Sequence, residues 1–301
     1  VGGRQDRVVG GRDQTLAMAE PFIGSEAVAR GTLTRHELRT RFVAVHHDVY
    51  LSKQAELTAV VRAKACWLRT RGHGILAGFS ASALHGAKWI DAKVPATAID
   101  TNRRRASGIV VWAGAITEDE VCVVDGMRVT TPARTAVDLA RRYPLDRAVE
   151  AIDSLARATR IKVADIESAV RKHPGRQGRK RALEVLSLVD PGAESPRETW
   201  LRLTVVRAGY PRPQTQLPVY NEYGVLIGIV DLGWRDLKIA MEYEGKHHRM
   251  SRERFERDIR RTDELLEQGW IVIRVTSMDT EATVERRLAH GWARRSQVSR
   301  G

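Results

Sequence analysis

One short stretch constrains this chain more than any other. Val189-Asp-Pro-Gly-Ala-Glu-Ser-Pro196 sets two prolines and a glycine directly after the helix-like run Arg181–Leu188. A regular helix or strand does not pass through such a sequence, because proline lacks the backbone donor and fixes its own φ. The chain is therefore expected to divide there into residues 18–190 and 191–301, each long enough to bury a core. Residues 1–17, rich in Gly and Arg and without periodicity, are expected to be a disordered tail. Charge divides unevenly at the same point. Up to Asp190 there are 31 Lys and Arg against 21 Asp and Glu, a surplus of +10, and beyond it only +3. Most of that surplus is arginine, whose planar fork suits phosphate, so the front region carries most of the expected attraction for nucleic acid. A basic balance also fits a membrane surface or an acidic partner, and the sequence leaves both open at this point.

The front region opens with two short helical patterns. Thr34-Arg-His-Glu37 is a capping box that starts a helix through Arg41. Phe42–Leu51 then reads as strand, turn and strand. Two helices followed by a small hairpin is the order of a winged helix-turn-helix, whose second helix reads the DNA groove. Arg35, Arg39 and Arg41 on that helix are the candidate DNA-binding residues, with Glu37 capping the helix and facing away. Helices are expected over 57–71, 78–85, 131–139, 146–158, 162–172 and 179–188, with strands at 96–101, 108–112 and 121–124. The basic clusters Arg103-Arg-Arg105 and Arg176–Arg181 fall in turns, as phosphate contacts or as solvated loops.

Several classes of function drop out. Cys66 and Cys122 are too few for a disulfide framework or a four-cysteine zinc site, and read as thiols in a reducing cytoplasm. No apolar run approaches the roughly 20 residues that cross a bilayer, and the polar start shows no signal-peptide pattern. Ser80 and Ser82 lie in no nucleophile elbow, and no Gly-rich phosphate loop is present. His46-His47 and His73 have no neighbouring acids or cysteines in the sequence and read as turn residues.

The back region carries the candidate chemistry. A helix over 198–207 precedes strands at 214–220 and 224–232, then the apolar strand 237–244 that abruptly acquires acids. A charged helix over 252–268, a buried strand at 270–275 and a final helix over 281–289 follow. Asp231 ends one strand. Glu242, Glu244 and Lys246 recur at i, i+2 and i+4, so an extended chain points all three to one face. Charges grouped at a sheet edge cost free energy unless something pairs them. A magnesium ion does so with carboxylates, water and substrate phosphate, and it lowers the pKa of a bound water that a lysine can hold. Asp231 and Glu244, at adjacent strand ends, are the expected metal ligands. The competing reading of the same residues is a structural salt-bridge cluster.

The ordered run Asp231, Glu242-Tyr-Glu-Gly-Lys-His-His248, Arg257-Asp258, Arg261 and Gly269-Trp-Ile-Val-Ile-Arg274 resembles the very-short-patch-repair (Vsr)-like endonuclease domain of the PD-(D/E)XK superfamily. More closely it resembles actinobacterial proteins of unassigned function that end in such a domain. The resemblance spans about residues 194–275. It implies a restriction-endonuclease-like mixed sheet flanked by helices, with Glu198 assisting the metal site, Asp231 and Glu244 as acids, His247 or His248 downstream, and Asp258 on the next helix. The zinc-binding cysteines and mismatch-wedging aromatics of the repair enzymes are absent, so mismatch specificity is not implied. In the front region, Glu26–Leu38 with Asp48-Val-Tyr50 is similar to the winged-helix start of AbiEi-type antitoxins. Ala81–Gly86 and Thr130-Thr-Pro-Ala-Arg-Thr135 with Asp138 are similar to the region that follows it there.

The expected fold is thus α/β (α+β overall), and two functions compete. One is a magnesium-dependent DNA endonuclease with catalytic Asp231, Glu244, Lys246, Glu198, Glu242, His248 and Asp258, delivered to DNA by the front domain. The grouping of like charges favours it. The alternative is an antitoxin-like, DNA-binding transcriptional regulator whose nuclease-fold domain is inactive. DNA is the expected partner in both, alongside a protein partner or a second copy of the chain.

Overall fold

A computed structural model describes residues 20–104, 106–172, 177–245 and 252–298; the expected tail lies outside them. Helices and strands alternate through a mixed α and β chain, in agreement with the expected fold class. The chain divides into two compact units. The first holds residues up to Arg142 together with Ala158–Ala182, and the second holds Tyr143–Arg157 and everything from Leu183 onward. The division therefore precedes Pro191, and the segment Tyr143–Arg157 is grouped with the second unit.

The first unit opens with β1 (Phe22–Ile23), α1 (Gly24–Ala29), α2 (Arg35–Arg41), β2 (Phe42–His46) and β3 (Val49–Ser52). The strands form a three-stranded antiparallel sheet in the order β1-β3-β2. Phe22 packs edge-on to Phe42 and stacks with Tyr50, holding β1 against the hairpin. At the hairpin turn Asp48 takes a left-handed φ of 61°. Its carboxylate accepts from the Ser25 N–H (2.8 Å), the Ser25 hydroxyl (2.6 Å) and Arg71 (2.7 Å), tying the turn to the start of α1.

A second sheet follows from α3 (Ala59–Arg69), β4 (Ile75–Leu76), α4 (Gly78–Leu84), β5 (Ala96–Ile99), β6 (Ile109–Trp112), β7 (Val121–Val124) and β8 (Met127–Thr130), in the order β6-β5-β4-β8-β7. The β7–β8 hairpin turns on Asp125-Gly126, both at positive φ (49° and 77°). That is the two-residue turn whose twist matches paired strands. Only β7 is among the expected strands, although Asp-Gly between two apolar runs is the strongest short-range hairpin signal. Then come α5 (Pro132–Arg142), with Pro132 at its first position as expected, α6 (Leu145–Thr159), α7 (Val163–Arg171) and α8 (Arg179–Leu188).

Within the first unit, Arg134 on α5 is 7% exposed at its side chain, yet it faces two carboxylates. Its Nη1 lies 2.5 Å from Glu120 and its Nε 2.8 Å from Asp138, themselves 10% and 1% exposed. Beside it, the Thr130 and Thr135 hydroxyls share a hydrogen bond of 2.7 Å. The stretch Thr130–Thr135 with Asp138 is therefore a buried polar lock that fastens α5 to β8 and to the turn before β7.

The second unit continues with α9 (Pro196–Arg207), β9 (Gln214–Tyr220), β10 (Leu226–Trp234), β11 (Ile239–Glu244), α10 (Arg252–Glu267), β12 (Ile271–Thr276) and α11 (Glu281–Val298). Its sheet has the order β12-β11-β10-β9, with β11 and β12 parallel and the other pairs antiparallel. Two apolar clusters cover the sheet. Leu201, Leu232, Met241, Val275, Val284 and Leu288 form one, and Leu217, Val219, Val230, Ala240, Leu265 and Trp270 the other. α11 runs well past the expected end at Ala289. Gly291 sits inside it, buried against β12 in place of ending the helix. Fully buried Arg202 on α9 donates to Asp153 (2.7 Å) and to the Leu188 carbonyl (2.5 Å), and Asp153 also accepts from the Thr199 hydroxyl and the Asp190 N–H.

Breaking a buried ion pair from one side leaves the other charge desolvated and alone, at a cost of about 3–5 kcal/mol. Arg134→Met should therefore lower the unfolding free energy measured in urea by that much. The triple change Arg134→Met, Glu120→Leu and Asp138→Leu should recover most of the loss, because it leaves no orphaned charge. Equal stability of the single variant and wild type would refute the lock.

Candidate nucleic-acid interface and acid cluster

In α2 the capping box forms as the sequence predicts. Thr34 Oγ1 accepts from the Glu37 N–H (3.1 Å), and the Glu37 carboxylate accepts from the Thr34 N–H (2.9 Å) and hydroxyl (2.9 Å). Those bonds hold the Glu37 carboxyl below its ordinary value. None of α2 is fully buried. The three candidate arginines are all exposed but are not equivalent. Arg41 lies 3.7 Å from Glu37 and over the Phe42 ring, so some of its charge is already answered. Arg35 and Arg39, one helical turn apart, have no hydrogen-bond or ion-pair partner among the described residues. An exposed helix offering two unanswered guanidinium groups on one face is an arrangement suited to phosphate oxygens.

The acids of the second unit converge differently from the expected pairing. β10 continues past Asp231 to Trp234, because Gly233 and Trp234 still pair with Ala240 and Ile239. Asp231 thus lies inside its strand, not at its end. The β10–β11 pairing closes at Leu232–Met241, and the Asp231 carboxylate then accepts the Tyr243 N–H at 2.7 Å. Burial pushes the Asp231 carboxyl up to about 6; Tyr243 pulls the other way, while Glu198 and Glu242 add repulsion. The acids that reach Asp231 electrostatically are therefore Glu198 and Glu242. Glu244, the last residue of β11, pairs with Arg274 at 3.2 Å.

Each of these acids is already engaged. Glu198 accepts from the Glu194 N–H (2.8 Å), the Ser195 hydroxyl (2.9 Å) and Gln216 Nε2 (3.2 Å). Glu242, 6% exposed, lies 2.7 Å from Arg261 Nη1; burial raises its carboxyl and Arg261 opposes that. Asp258 on α10 is bonded to Arg261 (3.1 Å) and Arg274 (3.0 Å). Gly228 makes room for this bridge, since a Cβ there would stand 2.7 Å from Arg261 Cδ. Lys246, His247 and His248 lie outside the described residues.

Magnesium binding asks for carboxylate oxygens open to a cation. Among the described residues no group of three or more His, Cys, Asp or Glu is arranged to hold a metal ion. Arg261 is ion-paired to Glu242 and Asp258, and Arg274 to Glu244 and Asp258. Arg261 and Arg274 stand out in the sequence without a role, because the cross-sheet register that aligns Glu242 with Arg274 is not local in sequence.

Residues 75–188 match the family model of the AbiEi antitoxin C-terminal domain. This stretch contains Ala81–Gly86, Thr130–Thr135 and Asp138, so the AbiEi-like resemblance holds for them. The match stops before the acid cluster, whose Vsr-like resemblance rests on the sequence motifs alone. Uncharacterized proteins of two Mycobacterium tuberculosis strains, CDC 1551 / Oshkosh and H37Rv, are each 29% identical over 252 residues, covering 82% of this chain and 92% of their own. Among the described residues no helix is long and apolar enough to cross a membrane.

A carboxyl whose folded pKa lies above its unfolded value favours the fold while protonated. For Asp231 that contribution is present below about pH 4 and is lost as pH rises through about 6. Asp231→Asn keeps an acceptor for the Tyr243 N–H and removes the buried charge. Thermal denaturation should show it more stable than wild type by about 2 kcal/mol at pH 7.5, with the difference closing by pH 4. A destabilised variant at pH 7.5 would show that the charge is needed by its surroundings.

Proposed function

We propose that this chain is a DNA-binding regulator of the antitoxin type. In this reading the segment 22–52 acts as a winged helix that contacts DNA through α2, and the AbiEi-like region that follows serves antitoxin function together with a toxin partner. The observation that carries the proposal is an order of elements along the chain. A helix, helix, hairpin module with Arg35 and Arg39 exposed and unanswered among the described residues lies upstream of the stretch that matches the antitoxin domain, with α3 between them. The surplus of +10 up to Asp190 supplies the long-range attraction. The acid cluster of the second unit acts in this reading as an arginine-neutralised structural centre.

Fluorescence anisotropy of the full chain on labelled duplex DNA tests the proposal. Binding at about 50 mM salt should weaken steeply as salt rises, because bound Lys and Arg release phosphate counterions. Arg35→Ala with Arg39→Ala should weaken binding and reduce the salt slope by about two if each touches one phosphate. No binding at low salt, or a double variant that binds as wild type does, would overturn the reading. Plasmid incubation with and without magnesium distinguishes the nuclease alternative. Magnesium-dependent nicking that Asp231→Ala abolishes would replace the proposal, and intact plasmid is the expected result.

A further inference from the structure

Away from the acids, β12 forms one edge of the second unit's sheet and α11 lies alongside it. Between them is a cleft of about 350 Å³ whose charged and titratable lining is Arg274, Arg287, His290 and Arg294, with no acid among its lining residues. Positions 287, 290 and 294 recur at i, i+3 and i+7, so they form one stripe along the helix, spanning about 10 Å at a rise of 1.5 Å per residue. Gly291 lies in the same stripe. A Cβ there would stand 3.3 Å from Ile273 Cδ1, so the missing side chain lets the helix sit close over the strand and leaves the floor of the cleft apolar. A mid-helix glycine costs about 1 kcal/mol against alanine, and close packing here offsets it.

The four side chains divide into two pairs. Arg274 is held by Glu244 and Asp258, and Arg287 by Asp279 (2.9 Å) and the Arg274 carbonyl (2.7 Å), so both are fixed in orientation. Among the described residues His290 and Arg294 have no hydrogen-bond or ion-pair partner. The edge strand adds backbone groups. The Ile271 N–H donates inward to the Lys238 carbonyl, which turns the N–H groups of Val272 and Arg274 toward the open edge. A concave surface with fixed guanidinium groups, two unanswered basic side chains and outward backbone donors has the chemistry of an anion site. At about 350 Å³ it falls at the small end of the range that ligand pockets span.

We infer that the β12–α11 cleft binds a phosphate-bearing ligand, with Arg294 and His290 as the residues that ligand recruits. The inference does not depend on α2 contacting DNA. The phosphate belongs either to a free nucleotide or to a nucleic-acid strand, and the experiment separates the two. Titration calorimetry on the full chain at low ionic strength would use inorganic pyrophosphate, ADP and a short single-stranded oligonucleotide, in wild type, His290→Ala/Arg294→Ala and Arg35→Ala/Arg39→Ala. The expected result is pyrophosphate binding that falls at least about tenfold in the His290/Arg294 variant, as loss of charge-assisted hydrogen bonds predicts, and is unchanged in the Arg35/Arg39 variant. ADP following the same pattern assigns the phosphate to a free nucleotide; the oligonucleotide alone following it assigns a nucleic-acid strand. Because both residues are exposed, the variant should keep the wild-type melting temperature. Should it melt early, Arg294→Glu alone serves, since it reverses one surface charge and should abolish binding. No pyrophosphate binding by wild type, or equal binding by the His290/Arg294 variant, overturns the inference.

Discussion

Arginine placed among carboxylates away from water is the interaction on which much of this structure depends. Arg134 stands between Glu120 and Asp138 in the first unit; Arg202 meets Asp153 in the second, and Arg261 joins Glu242 to Asp258. A single buried charge would cost several kcal/mol, so Glu120, Asp138 and Asp153 are not tolerable without a guanidinium, whereas Asp258 is about a quarter exposed. The planar fork matters because one arginine can answer two acids or an acid and a carbonyl at once, which a lysine ammonium does less well. The arginine surplus of the sequence is thus divided. Some of it fastens elements together, and some, such as Arg35, Arg39 and Arg294, remains unanswered at the surface among the described residues.

That division changes how the acids of the second unit read. Asp231, Glu242 and Glu198 do crowd together, as a phosphodiester-cleaving centre requires, and burial raises Asp231 to about 6. Yet Glu242, Glu244 and Asp258 are ion-paired to Arg261 and Arg274. The same geometry turns Glu244 toward Arg274 and leaves Glu242 as the neighbour of Asp231. Glu242, Glu244 and Asp258 are answered by arginine, whereas the described contacts of Asp231 and Glu198 are hydrogen bonds from neutral donors.

Much of the fold was legible from local chemistry. The capping box at Thr34–Glu37, Pro132 at a helix start and the run 179–188 each specify their element within a few residues, and each forms as read. Two local signals carry more than the expectations drawn from them. Asp125-Gly126 dictates a hairpin, and the apolar stripe of α11 continues beyond Gly291 because packing against β12 compensates for the glycine. What no local reading supplies is the partner across the sheet. Spacing places Glu242 and Glu244 on one face, but which arginine meets each is set by the parallel register of β11 with β12 and by α10 lying over them. The cleft beside α11 was illegible for the same reason, since it needs a helix and a strand edge in one place.

The central proposal is that arginine rather than a bound metal balances Glu242, Glu244 and Asp258 in this unit. Melting temperature against magnesium concentration tests it most directly, because a ligand that binds only the folded state stabilises it by RT ln(1 + [L]/Kd). The account predicts a flat response up to about 10 mM magnesium, the same in wild type and in Asp231→Asn. A rise in wild type that Asp231→Asn removes would contradict it.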